Sequence, residues 1–315
     1  MDEIGALQVF PKGSVGKYPS DYRARVQEYH ERPLSYDSDG FNAFMGIASA
    51  FQLLKNPTQT IRGIPLFPLQ VFQPAMKNRS SVLCSRLAWE WRGVSNGLRC
   101  QRRPFFPSWS WVGWGHSNGN DSHSRMTWPA SLDSGPKVPD GFNYGVRVKL
   151  ELNSGSIIDC EADELSGWPA HILEDASVVL QIEAWTMNLI LILCQNPEGN
   201  PYYIIQREII LERNGVYFDK NPADEPSLHQ RLQEGQTFLG VLLRYQVENK
   251  DQGTYVKAMI VEYNQEEMVY ERLGFTIAKF RGLFREVDDG VGTCEKSADA
   301  TLGRLRLERQ MIRLR

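Results

Sequence analysis

The sequence predicts an α+β protein in which a helical N-terminal part packs on a largely antiparallel β-sheet, barrel-like or sandwich-like in form. Two observations indicate this fold. In the first third of the chain, Ser or Asp precedes apolar residues at three- and four-residue spacing, as in amphipathic helices. From residue 144 onward, apolar runs of strand length alternate with short turn sequences, and strands joined by short turns pair antiparallel. A chain of 315 residues is long enough for the two parts to share one core.

Two helices of the N-terminal part are predicted from their end signals. The first is expected to begin at Ser20 and to end before Pro33, because proline removes a backbone donor and clashes with the preceding turn. A later helix is expected over residues 81–91 and should end at Gly93, which favours helix termination.

The clearest helix is predicted between these two, over residues 39–55. Asp37 or Ser38 is expected to cap it by accepting hydrogen bonds from its first N–H groups. The helix presents an aromatic stripe, which we expect to pack against tryptophans later in the chain; its members are Phe41, Phe44 and Phe51.

A Trp-rich segment ends the helical part, which we place at residues 1–115. Trp109 and Trp111 alternate with small residues, which predicts a short strand with the indoles on one side. We interpret the segment as a buried aromatic layer with Arg102 and Arg103 at its edge. Exposed indoles gripping a sugar or single-stranded nucleic acid are the alternative.

Residues 116–143 are rich in Ser, Asn, Asp, Gly and Pro and are predicted to form a polar loop. The β part is placed at residues 144–300, with strands expected over 146–152, 178–194, 202–211, 238–247, 255–263 and 268–275. Residues 301–315 form a basic tail, which is expected to be an amphipathic helix or a final strand with its arginines on a solvated face.

Composition excludes several classes of protein. The net charge of −3 gives no general attraction to nucleic acid or to anionic membranes. The longest apolar run is too short for a membrane span, and the acidic N-terminus has no signal-peptide pattern. Five scattered cysteines without a C-x-x-C pair indicate reduced thiols. We therefore expect a cytoplasmic protein without a membrane span, a nucleic-acid partner or a cofactor.

One catalytic pattern and two metal-like patterns occur. Residues 115–119 match G-x-S-x-G around Ser117, but no helical period follows, so a serine hydrolase is not favoured. His116 and His123 lack the spacing of a helical metal pair, and Asp37 and Asp39 lack the Gly and Glu of a calcium loop. No metal site is predicted.

Four stretches together resemble a known family. They are residues 34–47, 63–65, 102–114 and 271–274, and their order and spacing resemble the region downstream of the signature domain in fungal heterokaryon-incompatibility (HET) proteins. The motif residues, more structural than functional in our interpretation, are Tyr36, Asp37, Ser38, Asp39, Asn42, Phe44, Arg103, Pro107, Trp109, Trp111 and Trp114.

The resemblance implies a role in self/non-self recognition or in regulation of cell death. The family's W-I-D-x-x-C-I-N-Q run, part of its signalling domain, does not occur in this sequence, so no catalytic residue is carried over. We therefore expect a non-enzymatic module that acts through contacts with a protein partner. A carbohydrate- or small-ligand-binding β-module is the alternative.

Overall fold

The α+β fold class is confirmed by the computed structural model of the chain. Helices lie mainly before residue 90, and strands dominate from residue 146 onward. The residues that the structure describes are 15–16, 19–30, 36–54, 57–66, 79–92, 100–116, 125–127, 146–160, 176–195, 201–206, 211–219, 222, 225–247, 254–280 and 307–315.

Before residue 90, the described part of the chain has three α-helices and a 3₁₀ turn. In chain order these are α1 (Pro19–His30), the 3₁₀ helix (Asp37–Gly40), α2 (Asn42–Gln52) and α3 (Arg79–Leu87). The first predicted helix is confirmed, and Tyr22, Val26 and Tyr29 are its buried face.

The other two helices differ from prediction at their ends. α2 begins after the 3₁₀ turn, and its N-cap is Phe41, with no capping bond from Asp37 or Ser38. The predicted capping role is therefore wrong. α3 ends at Leu87 rather than at Trp91, which belongs to a strand.

Three two-stranded pairings accompany these helices. β1 (Gln59–Ile61) and β2 (Ile64–Leu66) form a hairpin, β3 (Glu90–Arg92) pairs with β6 (Arg125–Thr127), and β4 (Cys100–Arg102) pairs with β5 (Trp114–His116). β6 corrects the prediction of an unbroken loop over 116–143. In the hairpin turn, Arg62 and Gly63 have φ of 49° and 87°, the left-handed values that a two-residue turn matching strand twist requires.

The large sheet contains nine strands. They are β7 (Arg147–Leu152), β8 (Ile157–Asp159), β9 (Ala176–Gln195), β10 (Pro201–Gln206), β11 (Leu211–Phe218), β12 (Thr237–Val247), β13 (Thr254–Asn264), β14 (Val269–Phe280) and β15 (Glu308–Leu314). A helix, α4 (Pro226–Gln233), lies between β11 and β12. The predicted strand over 202–211 is wrong in extent, because β10 ends at Gln206 and Leu211 begins β11.

Five strands pair in a closed ring, in the order β9, β12, β13, β14 and β15. Thr186 of β9 pairs with Val241 of β12 on one edge and with Glu308 of β15 on the other. β12 pairs with β13, and β13 with β14, all antiparallel. Tyr270 of β14 then pairs with Leu314 of β15, the one parallel contact among the described pairings, and closes the ring. The sheet is therefore largely antiparallel and barrel-like.

The end of the basic tail forms β15, the final strand that was one of the two predicted forms. Ile312 and Leu314 of β15 are buried. The guanidinium group of Arg313 pairs with Glu151 at 2.8 Å, and that of Arg309 pairs with Glu183 at 2.8 Å. The final strand with its arginines on an exposed face is therefore confirmed for Arg309 and Arg313, whose side chains are 36% and 47% exposed, and both arginines have carboxylate partners.

Two apolar clusters flank the sheet, and β9 contributes to both. Its residues Leu180, Ile182 and Ala184 join the cluster that contains the aromatic side chains of α1 and α2. Met187, Leu189 and Leu191 join the cluster beneath α4. The helical part and the sheet thus share buried apolar contacts. No helix in the described part of the chain is long and apolar enough to cross a membrane.

Candidate functional site

The Trp-rich segment folds as turns and not as the predicted strand. The N–H of Arg103 donates to the carbonyl of Gly113 at 2.8 Å, which closes a loop between β4 and β5. Within it, Trp111–Gly113 form a 3₁₀ helix capped by the Ser110 hydroxyl. A Cβ on Gly113 would lie 2.2 Å from the carbonyl oxygen of Pro107, so only glycine permits this close turn.

The three indoles of the segment are buried, as the aromatic-layer interpretation predicts. Trp109, Trp111 and Trp114 are exposed by at most 1%. A buried indole N–H needs an acceptor. Each donates to a backbone carbonyl: Trp109 to Val178 at 3.0 Å, Trp111 to Gly63 at 2.7 Å and Trp114 to Ser108 at 2.8 Å. These rings therefore offer no exposed face to a ligand.

Helix α2 meets this layer through Phe44, as its aromatic stripe predicts. The ring centroids of Phe44 and Trp111 lie 5.0 Å apart at an interplanar angle of 79°, an edge-to-face contact. Tyr29 of α1 approaches the same indole at 6.2 Å. The carbonyl of Gly63 accepts from both the Trp111 indole and the Tyr22 hydroxyl, the latter at 3.1 Å, so the β1–β2 hairpin is fixed to the same cluster.

Asp37 binds Arg103 instead of capping a helix. Its Oδ1 lies 3.2 Å from Nε of Arg103, whose side chain is 6% exposed. A Cβ on Gly115 would lie 2.8 Å from this Nε, so the glycine leaves space for the guanidinium group. The rest of the motif here points to solvent: Tyr36, Ser38, Asp39 and Asn42 are exposed.

Arg102 joins the segment to the β13–β14 hairpin. Its Nη1 donates to the carbonyl of Phe106 at 2.7 Å, and its Nη2 lies 3.6 Å from Oε1 of Glu271. The guanidinium carbon is 5.7 Å from the Trp114 ring centroid. The expected placement of arginine at the edge of the aromatic layer is confirmed for this residue.

Arg272 lies at the centre of the site, fully buried. It forms two bonds to Asp219, from Nε at 2.5 Å and from Nη2 at 3.1 Å. It also donates to the carbonyls of Leu87 and Trp89, and its guanidinium carbon lies 3.5 Å from the centroid of the Trp89 ring. Burial raises the pKa of the Asp219 carboxyl, and the neighbouring guanidinium group opposes that rise.

A second buried ion pair lies nearby. Nζ of Lys257 is 2.9 Å from Oε2 of Glu90 and 4.2 Å from the Phe275 ring centroid. Sequence reasoning missed Glu90, Asp219 and Lys257 because each pairs with a residue distant in the chain, and no local spacing marks such a partner. The sequence could have indicated Arg272, since this residue belongs to the fourth stretch of the family resemblance.

All four stretches of the resemblance meet in one place, which we call the motif joint and define as residues 36–44, 63–65, 102–114 and 271–274. The backbone N–H of Arg272 donates to the Ser108 hydroxyl at 2.8 Å, which links the last stretch to the third. The joint connects the helical part to the sheet through ion pairs, ring contacts and hydrogen bonds.

The described residues offer little for nucleophilic or metal chemistry. No group of three His, Cys, Asp or Glu side chains able to hold a metal ion lies among them. Cys84 and Cys160 are buried thiols outside any disulfide, and burial raises the pKa of the Cys84 thiol, which makes it a poor nucleophile. Ser117 and His123 of the catalytic and metal-like patterns lie outside the described residues.

Comparison of the chain with models of protein families, with curated proteins and with solved structures finds no match.

Proposed function

We propose that this chain is a non-enzymatic, cytoplasmic module of a fungal heterokaryon-incompatibility type of protein. It acts through contacts with a protein partner, in self/non-self recognition or in the regulation of cell death. The proposal rests on the family resemblance of the four stretches and on one observation that supports it, their convergence in the motif joint.

The convergence favours a binding module over an enzyme. Within the joint, Arg102, Arg103 and Arg272 are engaged by carboxylates and backbone carbonyls, and the indoles are buried. What reaches solvent is a short stretch beside Arg103, with Tyr36 exposed by 70% and Phe105 by 71%. Large exposed aromatic side chains are typical of protein contact sites.

The carbohydrate-binding alternative gains no support from the joint, because its three indoles are covered. A serine hydrolase at Ser117 stays a disfavoured hypothesis. Treatment of the folded protein with a fluorophosphonate probe tests it, and we expect no labelling, since an activated serine would react covalently.

Co-expression in fungal cells with a full-length heterokaryon-incompatibility protein tests the proposal. We expect the two proteins to co-elute and cell viability to depend on the pair. The double variant Tyr36→Ala, Phe105→Ala should abolish both effects, whereas Leu53→Ser, which alters a side chain exposed by 88% outside the motif stretches, should retain them. Co-elution that survives the double variant, or no association with any such protein, contradicts the proposal.

A further inference from the structure

The exposed side of the motif joint carries an unusual apolar surface. Tyr36, Phe105 and Met268 are exposed by 70%, 71% and 66%. Among the described large hydrophobic residues, only Leu53 is more exposed. Each exposed large apolar side chain keeps an unfavourable contact with water that burial in an interface would remove.

Contacts in the fold link the three chain segments that carry these side chains. Tyr36 precedes Asp37, which binds Arg103 at 3.2 Å. Phe105 lies in the turn that follows, where the N–H of Phe106 donates to the carbonyl of Arg103 at 3.1 Å.

These links continue to the tip of the β13–β14 hairpin. Arg315 donates from Nη2 to the carbonyl of Pro104 at 3.2 Å and pairs through Nη1 with Glu267, the neighbour of Met268. We call this surface the rim, and its members are Tyr36, Asp37, Pro104, Phe105, Glu267 and Met268.

Met268 adds an independent indication that the rim serves binding. Its φ is 54°, one of two left-handed values at non-glycine residues in the described part of the chain. A side chain in this conformation is strained, and one exposed by 66% contributes little packing to offset the strain. Glycine would adopt this φ without strain, and the exposed Met side chain is available for contact with a partner.

Charge determines which partner suits the rim. The side chains of Asp37 and Glu267 are 50% and 42% exposed, while those of Arg103 and Arg315 are 6% and 24% exposed. The cations are thus covered and bonded within the fold, and the carboxylates face outward. Asp39 and Glu266, beside the rim, are exposed as well. Such a surface repels phosphate groups and attracts cationic side chains.

We infer that the rim is the docking surface for a basic segment of a protein partner, one that combines Arg or Lys with apolar side chains. The cations lie over the Tyr36 and Phe105 rings and beside the carboxylates, and the apolar side chains contact Met268. This inference rests on the proposed function, since it names the surface and the partner chemistry that the function uses.

Fluorescence anisotropy of a labelled short peptide of alternating Arg and Leu, titrated with the full chain, tests the inference. We expect saturable binding that weakens as salt is raised, and no binding of the matched peptide with Glu in place of Arg. The double variant Tyr36→Ala, Phe105→Ala should bind about tenfold more weakly or worse, since hot-spot aromatics carry most of the affinity.

Met268→Gly separates binding from folding. It should weaken binding while the melting temperature stays the same or rises, because glycine removes the backbone strain of the positive φ and little packing is lost. Leu53→Ser serves as the matched surface control and should bind like the parent. Absence of binding of the Arg peptide, equal binding of the Glu peptide, or equal loss with Leu53→Ser overturns the inference.

The two proposals fail in different ways. If the Tyr36, Phe105 variant loses association with the full-length protein but the Arg peptide does not bind, the partner chemistry is wrong and the proposed function stands. If the peptide binds at the rim but the rim variants leave that association intact, the proposed function is wrong.

Discussion

Two ion pairs of the same chemistry lie in opposite surroundings in this protein. Arg272 binds Asp219 through two nitrogens, and Arg313 binds Glu151 in the same way, at 2.8 and 2.9 Å. The side chains of the first pair are 0% and 3% exposed, whereas those of the second are 47% and 17% exposed. Similar geometry therefore has different consequences.

The buried pair acts by fixing position. Removing two charges from water is costly, and the carbonyls of Leu87 and Trp89 compensate in part by accepting two further guanidinium protons. The pair thereby ties the chain between α3 and β3 to the sheet. The exposed pair keeps much of its hydration, so its formation changes the free energy of unfolding little.

The largest effect is expected when the buried pair is broken. Asp219→Ala leaves an uncompensated buried cation and should lower the free energy of unfolding by about 3–5 kcal/mol. Chemical denaturation measures this loss. Glu151→Ala is the matched control on the exposed pair, and an equal loss in both variants would contradict the comparison.

Trp111→Ala tests whether the aromatic layer contributes as much to the free energy of unfolding as the Arg272–Asp219 ion pair does. Loss of a fully buried indole and its contact with Phe44 should cost about 3–5 kcal/mol, because the cavity cannot close completely. Thermal and denaturant unfolding both report this loss. A variant that melts with the parent would show that the layer is not part of the core.

Two glycines with similar backbone conformations allow a packed position to be compared with an open one. Gly63 and Gly155 have φ of 87° and 85°, so alanine strains the backbone at both. At Gly63 the added Cβ would also lie 2.4 Å from Cγ2 of Val112, whereas at Gly155 it meets nothing within 4 Å. Gly63→Ala should therefore cost about 1–3 kcal/mol more than Gly155→Ala in denaturant unfolding. Equal losses of unfolding free energy in the two variants would mean that the β1–β2 hairpin can move to relieve the contact with Val112.

The smallest effect is expected at the exposed pair, and it depends on pH. The hydrogen bond from Arg313 lowers the pKa of Glu151 below its ordinary value. A lowered carboxyl pKa in the folded state stabilises the protein above the unfolded-state pKa, and this stabilisation is lost as pH falls through the folded-state pKa. Glu151→Gln should cost about 0.5 kcal/mol at neutral pH, after allowance for exposure, and nothing in strong acid. Denaturant unfolding of parent and variant at neutral and at strongly acidic pH measures this difference. An equal loss of unfolding free energy at both pH values would contradict the role of the Arg313–Glu151 pair.

Local patterns predicted most of the fold. The apolar runs that predicted strands over 238–247 and 255–263 correspond closely to β12 and β13, because a short apolar run bounded by turn residues is a local feature of a buried strand. The first helix, α1, was also predicted from its local sequence. Asn214 and Gly215 are residue types typical of turns, but they lie within β11, directly after a register shift between Leu211 and Asn214.

Patterns that depend on distant partners were not predictable. Alternation of Trp109 and Trp111 suits a strand, but the Ser110 cap and the close approach at Gly113 produce a 3₁₀ helix. Asp37 has the sequence context of a helix cap, and its actual partner, Arg103, lies 66 residues away. The rim depends on the same kind of contact, so the motif residues were identified from sequence while their grouping required the structure.

Closure of the sheet by β15 has a kinetic consequence. Thr186 and Glu308, which meet at the closing edge, are separated by 122 residues in the chain. Contacts between such distant residues form late, because much chain entropy is lost before they add stability. Until β15 docks, the edge of β9 that it covers stays open to other strands. We therefore expect slow refolding with a concentration-dependent aggregation phase that ends when the ring closes.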